Sequence, residues 1–289
     1  MTLGTSPAID AALARRLVGT QFPRWAGLPL RRHEPAGSDH VIFRLGEHLS
    51  VRLPRHDGAI GQAAKEAEWL HRLAPHLPLA VPEPVAVGEA AFGYPWPWSV
   101  SRWLDGEVAS FDALSGSHEA AGVLAGFLAA LHRFDADPAG DLGGRPLAAR
   151  DAATRAAIAK VGHTFGSAAM TGLWDAALAA PGWDRPPVWF HGDFHTGNLL
   201  TRSGRLSAVI DFGELGFGDP AGDLIIAFTL MSPGTRATFR AALGVDDATW
   251  TRGRGWALAT GLNAYVRYAA VNPRVAEQTT RQISQALAG

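Results

Sequence analysis

The apolar positions of this chain change rhythm near Gly106: short runs bounded by Gly and Pro precede it, and longer stretches at helical spacing follow it. A leading helix is predicted over Ile9–Val18, where Ile9, Leu13 and Leu17 share a face behind a Ser6-Pro7 start. HVIFRLGEHLSVRLPR (40–55) reads as two strands joined at Gly46-Glu47, with Pro54 ending the second. Gly61–Leu73 forms an amphipathic helix with Ala63, Ala67, Leu70 and Leu73 along one side. Val85–Val87 suits a strand after a Pro-rich stretch. FGYPWPWSVSRWLDGE (92–107) suits another, running into an extended connector at Leu104-Asp-Gly106. Its tryptophans fit core and hinge packing better than a stacking platform for a sugar or base.

Beyond Gly106, Ser117–Phe134 reads as a long helix, apolar on most sides and hence buried. One or two further helices cover Pro146–Ala180, broken near 162–172. Helical spacing returns over Leu224–Met231, Arg236–Leu243, Thr249–Ala270 and Val275–Leu287, with breaks at Pro233 and Pro273. One hairpin stands amid these helices: Asn198–Thr201 and Val209–Ile210 as strands, Arg202–Arg205 as the turn. Strands first and helices after gives an α+β, two-lobed architecture, with residues 1–106 as one lobe, a hinge near 101–106 and residues 107–289 as the other.

Composition narrows the function without choosing it. The chain has 289 residues, 47% hydrophobic and 18% charged, as expected of a soluble globular protein with a sizeable core. A net charge of −1 offers no basic excess for nucleic acid. The absence of cysteine excludes disulfides, thiolate catalysis and Cys-ligated metals. The N-terminus shows no secretion signal, and no apolar run approaches the roughly 18–20 residues that span a bilayer. A cytoplasmic location without membrane contact is the expectation.

The chemistry concentrates in HGDFHTGNLLTRSGRLSAVIDFGELGFGDPAGD (191–223). If the turn centres near Gly204, antiparallel pairing sets Asn198 opposite Asp211 within about two residues. A carboxylate and an amide oxygen at one end of a hairpin make a hard-oxygen site of the kind Mg²⁺ prefers; the alternative is a surface hairpin with a solvated acidic loop. Asp193 lies in a Gly-flanked loop just before it. In the first half, a Gly37-Ser38 turn feeding a hairpin can fold backbone N–H groups over a phosphate, or be only a turn. No GxxxxGK[ST], ordered GxGxxG, GxSxG or HExxH occurs, and His191 and His195 lack the helical pattern of a zinc pair.

HGDFHTGN followed by VIDFG and GDPAGDL resembles the aminoglycoside phosphotransferase family, with its protein-kinase-like fold. The likeness runs from the Gly-Ser turn to the terminal helices. It implies a small antiparallel-sheet lobe with one main helix that binds nucleotide, and a larger, mostly helical lobe for catalysis and substrate. It also implies phosphoryl transfer from ATP or GTP, with Mg²⁺, to a hydroxyl of a small molecule. In that pattern Asp193 orients or deprotonates the acceptor, and Asn198 and Asp211 hold the metal. His191, Asp219 and Asp223 fix the loop. Glu66 is the ion-pairing glutamate of the helix, and backbone groups of Arg102 and Leu104 face the adenine. One departure stands out: the phosphate-binding strand residue, usually lysine, is here Arg52, for the only lysines are Lys65 and Lys160. A fixed guanidinium can grip phosphate bidentately, so the charge is kept while the geometry changes.

The resemblance implies an antibiotic acceptor of aminoglycoside or macrolide type. The alternatives are a small hydroxylated metabolite and a pseudokinase that only binds nucleotide. Spans 145–185 and 231–289 hold six acidic and twelve basic residues, a balance that points away from a strongly cationic substrate. A monomer is expected, with a dimer left open.

Overall fold

The structure is a computed structural model that describes residues 8–34, 39–136, 138, 142–144 and 146–289. It divides into two compact units. The first comprises the residues up to His76, Ala80–Gly106 and Ala208–Gly213; the second comprises Leu77–Leu79, Glu107–Ser207 and Glu214–Gly289.

The first unit opens on α1 (Ala11–Gln21), whose start is fixed by Asp10 accepting from the N–H of Leu13 at 2.8 Å. Five short strands follow: β1 (Leu30–Arg32), β2 (His40–Leu45), β3 (Leu49–Pro54), β4 (Pro84–Gly88) and β5 (Trp98–Arg102). All neighbours are antiparallel, in the order β1-β2-β3-β5-β4. α2 (Gln62–Leu73) lies between β3 and β4 in sequence and packs on β4. Alternation along β2 and β3 sends Val41, Phe43, Leu45, Val51 and Leu53 into a core shared with Leu17, Trp98 and Val100, all nearly inaccessible. At roughly 25 cal/mol per Å² of apolar surface, each such large side chain contributes about 2 kcal/mol.

The second unit is mainly helical: α3 (Phe111–Leu114), α4 (His118–His132), α5 (Asp151–Phe165), α6 (Ser167–Ala179), α7 (Ile225–Thr229), α8 (Pro233–Leu243), α9 (Asp247–Tyr268) and α10 (Pro273–Ala288). α4 packs on α8, while α9 packs on α6, α5 and α10. The predicted break in 146–180 falls at Gly166, between α5 and α6. Pro233 and Pro273 stand inside their helices as the first residue, where the missing N–H costs nothing, so α8 and α10 begin earlier than the spacing predicted. The helix predicted over Leu224–Met231 is shorter: a 3-10 turn over Pro220–Leu224 leads into α7. Phe127, Phe194, Trp174, Trp189, Phe228 and Phe239 fill the core.

The hairpin is β8 (Leu199–Arg202) and β9 (Arg205–Val209), joined to β6 (Glu107–Val108) as a three-stranded sheet. Its turn is the residue pair Ser203-Gly204, both at positive φ, as two-residue hairpin turns require. β9 begins at Arg205, four residues before the predicted strand Val209–Ile210, because the turn takes only Ser203-Gly204, and it ends at Val209, whose N–H meets the carbonyl of Ala80. β7 (Val188–Phe190) pairs with β10 (Gly216–Gly218). No helix among the described residues is long and apolar enough to cross a membrane.

Candidate active site

In the first unit, β3 places Arg52 and α2 places Glu66 so that both side chains are buried, at 8% and 1% exposure. Arg52 Nη1 donates to both carboxylate oxygens of Glu66, at 2.8 and 2.6 Å, and Nη2 donates to Asp211 Oδ1 at 3.2 Å. Burial works to lower the pKa of the guanidinium, but Glu66 and then Asp211 outweigh it and raise it. Asp211 has φ of 65°, a left-handed conformation that a non-Gly residue holds only where its surroundings enforce it. Phe212, wholly buried, anchors the segment beside it, and Gly213 lies so close to Gln62 that a Cβ would meet its side chain at 2.6 Å. Asp39 accepts from Gln62 Nε2 at 3.3 Å and faces His56 Nε2 at 3.4 Å. Gly37 and Ser38 lie outside the described residues.

Arg102 ends β5, and Leu104 follows in the extended stretch before β6. The N–H of Arg102 already donates to the Glu83 carbonyl at 2.9 Å, so of its two backbone groups that one is spent within the sheet.

In the second unit the loop between β7 and β8 carries Asp193. Its frame is Asp223, inaccessible to solvent, whose two oxygens accept the N–H groups of His191 at 2.7 Å and Gly192 at 2.8 Å. Burial pushes the Asp223 carboxyl up to about 7; the two N–H groups oppose that, and the charge of Asp193 adds to it. His191 is equally buried, and its Nδ1 accepts the N–H of Asp193 at 3.2 Å. Gly192 has φ of 87°, and a Cβ there would meet the Glu214 carbonyl oxygen at 2.2 Å, so only glycine lets the chain turn here. Phe194 pins the loop from below, stacked on Phe127 with centroids 5.6 Å apart.

Asn198 closes a 3-10 turn (Thr196–Asn198) just before β8. Its Nδ2 donates to the carbonyl of Asp193 at 2.9 Å and to Asp193 Oδ2 at 3.0 Å. With the amide nitrogen committed, Oδ1 is the face left for a cation. Burial works to raise the Asp193 pKa, but His195 first, then His191 and Asn198, more than offset it and bring it down to about 2. Asp219 caps the 3-10 turn Pro220–Leu224 through the N–H of Ala221 at 3.0 Å, and is gripped by Arg252 Nε and Nη2 at 2.8 and 3.1 Å.

Sequence reasoning missed two of these groups. Spacing alone offers His195 only as half of a zinc pair, yet it stands beside Asp193; its place two residues after the aspartate and before Thr-Gly is the available signal. Arg252 lies 33 positions from Asp219 on α9, and nothing local marks it. Among the described residues no three His, Cys, Asp or Glu side chains converge on a metal site. The donors fit Mg²⁺ nevertheless, since a carboxylate and an amide oxygen suit a hard cation that takes its other ligands from phosphate and water.

Solved structures similar to this chain are phosphotransferases. The GDP and kanamycin complex of APH(2")-IIia matches with a TM-score of 0.74 and 19% identity over 96% of this chain and 98% of that one. A macrolide 2'-phosphotransferase from Brachybacterium faecium, as apoenzyme, matches at 0.62 and 24% identity over 95% and 97% of the two chains. The macrolide 2'-phosphotransferase type I matches at 0.61 and 21% identity over 98% and 99%. At such identities the likeness shows the fold, the α+β kinase-like fold expected above. Comparison with curated proteins gave no match. The sequence pattern of the phosphotransferase enzyme family matches residues 31–256, most of the chain's length, and the chain belongs to that family.

Proposed function

We propose that this phosphotransferase moves the γ-phosphoryl group of ATP or GTP to a hydroxyl of a small molecule, and that the acceptor is neutral or carries a single positive charge. The observation that carries the reaction is the hold of Asn198 on Asp193, which fixes a carboxylate at the centre of the catalytic loop. With a pKa near 2, Asp193 orients the acceptor hydroxyl in the ground state and takes its proton only as the oxygen bonds to phosphorus. Arg52, held by Glu66, neutralises phosphate charge and keeps the nucleotide in line. Leu104 supplies a backbone group to the base, and Arg102 contributes its carbonyl, its N–H being engaged. Asn198 and Asp211 are the proposed ligands of Mg²⁺, which when bound would neutralise phosphate oxygens as charge shifts to the leaving group.

The acceptor reading rests on the ion pairs of five of the six carboxylates in spans 145–185 and 231–289, Asp184 alone having no ion pair among the described residues. Asp151 and Asp175 share Arg155 at 2.8 and 2.7 Å, Asp246 meets Arg185 at 2.8 Å, and Glu277 meets Arg281 at 2.6 Å. Asp247 faces Arg240. A pocket for a polycation calls for carboxylates in excess. A hydroxylated sugar of macrolide type, or a small metabolite, suits the paired surface better. The names of the similar structures, kanamycin in one and macrolides in two, bracket the classes to test.

The experiment is transfer of labelled γ-phosphate from ATP and from GTP, with Mg²⁺, across macrolides, aminoglycosides and hydroxylated metabolites. Transfer confined to aminoglycosides would overturn the acceptor reading. Asp193→Asn should bind nucleotide and lose turnover; unchanged turnover would remove Asp193 from its role. Nucleotide binding without transfer to any acceptor would favour a binding protein instead.

A further inference from the structure

We propose that His195 is a positioning residue that selects which oxygen of Asp193 receives the acceptor's proton; the proposal rests on the phosphotransfer reading above. The chain itself sets the imidazole. His195 caps the 3-10 turn Thr196–Asn198, its Nδ1 accepting the Gly197 N–H at 3.0 Å, and its own N–H donates to the Asp193 carbonyl at 3.1 Å. With Nδ1 used as acceptor, the proton of a neutral ring lies on Nε2. That nitrogen stands 3.4 Å from Asp193 Oδ2. Asn198 Nδ2 donates to the same oxygen at 3.0 Å.

The two carboxylate oxygens are therefore unequal. Oδ2 faces two donors, whereas Oδ1 has no partner among the described residues. Donors drain electron density from the oxygen they hold, so Oδ1 is the one left to accept a proton. As the acceptor oxygen bonds to the γ-phosphorus, the bond from that phosphorus to the bridging oxygen breaks and the nucleoside diphosphate leaves. The hydroxyl proton passes to Oδ1 and is released to water after product departs. Asn198 alone ties Oδ2 through a single donor, about which the carboxylate can swing. A second donor from another direction fixes the plane of the group, and reactions of this kind lose rate steeply when a reacting atom is misplaced.

Two substitutions separate this role from turn capping, because asparagine and glutamine each keep one ring nitrogen's function. His195→Asn keeps an acceptor where Nδ1 stood and so keeps the cap, but nothing reaches Asp193. His195→Gln keeps a donor where Nε2 stood and loses the cap. With ATP or GTP as donor, and water and the macrolide panel as acceptors, His195→Asn should lose about tenfold or more in kcat. Its KM values should stay within about twofold and its unfolding midpoint should be unchanged. His195→Gln should retain most of the wild-type kcat. Wild-type kcat in His195→Asn, an equal loss in both variants, or a loss confined to KM or stability would overturn the proposal. A wild-type chain that transfers phosphate to no acceptor, water included, would instead overturn the phosphotransfer reading, and the proposal with it.

Discussion

Substituting Glu66 by Gln removes the charge opposite Arg52 while keeping the volume, and the structure sets the cost. Arg52 is 8% exposed and spends one nitrogen on both oxygens of Glu66. Breaking a buried ion pair by removing one partner costs about 3–5 kcal/mol, because the other charge is left desolvated. Asp211 remains at 3.2 Å, but its side chain is 46% exposed, so solvent screens what it returns. The glutamine amide oxygen still accepts from the guanidinium, so the expected loss is near the lower bound, about 3 kcal/mol. Arg52→Met should cost a similar amount by stranding Glu66. The double variant Arg52→Met/Glu66→Gln leaves no buried charge in the pair and should recover most of that loss, to within about 1–2 kcal/mol of wild type. Denaturant unfolding of all four proteins, followed by tryptophan fluorescence, measures the cycle. Transfer activity should follow a different order, with Glu66→Gln retaining some turnover and the double variant retaining none, since the phosphate loses its cation. Single losses that add up in the double variant would refute the coupling, and recovered activity in the double variant would remove Arg52 from phosphate binding.

Gly192→Ala should destabilise by more than about 2 kcal/mol and abolish transfer, since a left-handed backbone and the Glu214 carbonyl at 2.2 Å both oppose the new Cβ; a midpoint within experimental error of wild type would refute that. Burial, helped by the charge of Arg133, lowers the His132 pKa to about 4, so the folded state stays neutral where the unfolded chain binds a proton below 6.5. That stability is fully present above pH 6.5 and is lost as pH falls toward 4, at about 1.4 kcal/mol per pH unit. His40, lowered to about 3, acts in the same direction, while Asp223, raised to about 7, acts against both between pH 7 and 4. His132→Leu should therefore flatten the fall in stability between pH 6.5 and 5 by about 2 kcal/mol; an unchanged slope would sink the assignment.

The elements that were legible in the sequence are those long enough to show a period. α2, α4, β2, β3 and β8 fall where apolar spacing and turn residues put them, whereas β9 overlaps its predicted strand only at Val209. β1, β6, β7 and β10 have three residues or fewer, too short for alternation to register, and β7 and β10 exist only because distant segments pair. The helix ends that shifted did so for a local reason: proline punctuates a helix from within its first turn as well as from outside. Within the site, motif residues with a fixed chemical need could be named one by one. What could not be read is which of them share a hydrogen bond. The motif marks Asn198 as a metal ligand, but its commitment through the amide nitrogen to Asp193 depends on a turn geometry that letters do not encode.

Arginine solves two electrostatic problems in this chain, and the solutions differ in kind. Buried against Glu66, Arg52 forms a pair so closely desolvated that a phosphate would meet a cation of fixed direction. Arg252 is likewise buried on Asp219, and its two donors tie α9 to the turn that carries Asp223, whose oxygens in turn hold the backbone before Asp193. The exposed pairs around Arg155, Arg185, Arg240 and Arg281 contribute little to stability, because solvent and salt screen them. Their consequence is in the field they leave outside. A paired carboxylate presents a dipole, whose potential falls off faster with distance than that of a free charge and is screened again by salt. A polycation gains from free charges and little from dipoles, whereas a neutral sugar is indifferent to both. Rate constants for acceptor capture should accordingly show little dependence on ionic strength, and a steep dependence would mean that carboxylates outside these pairs govern recognition.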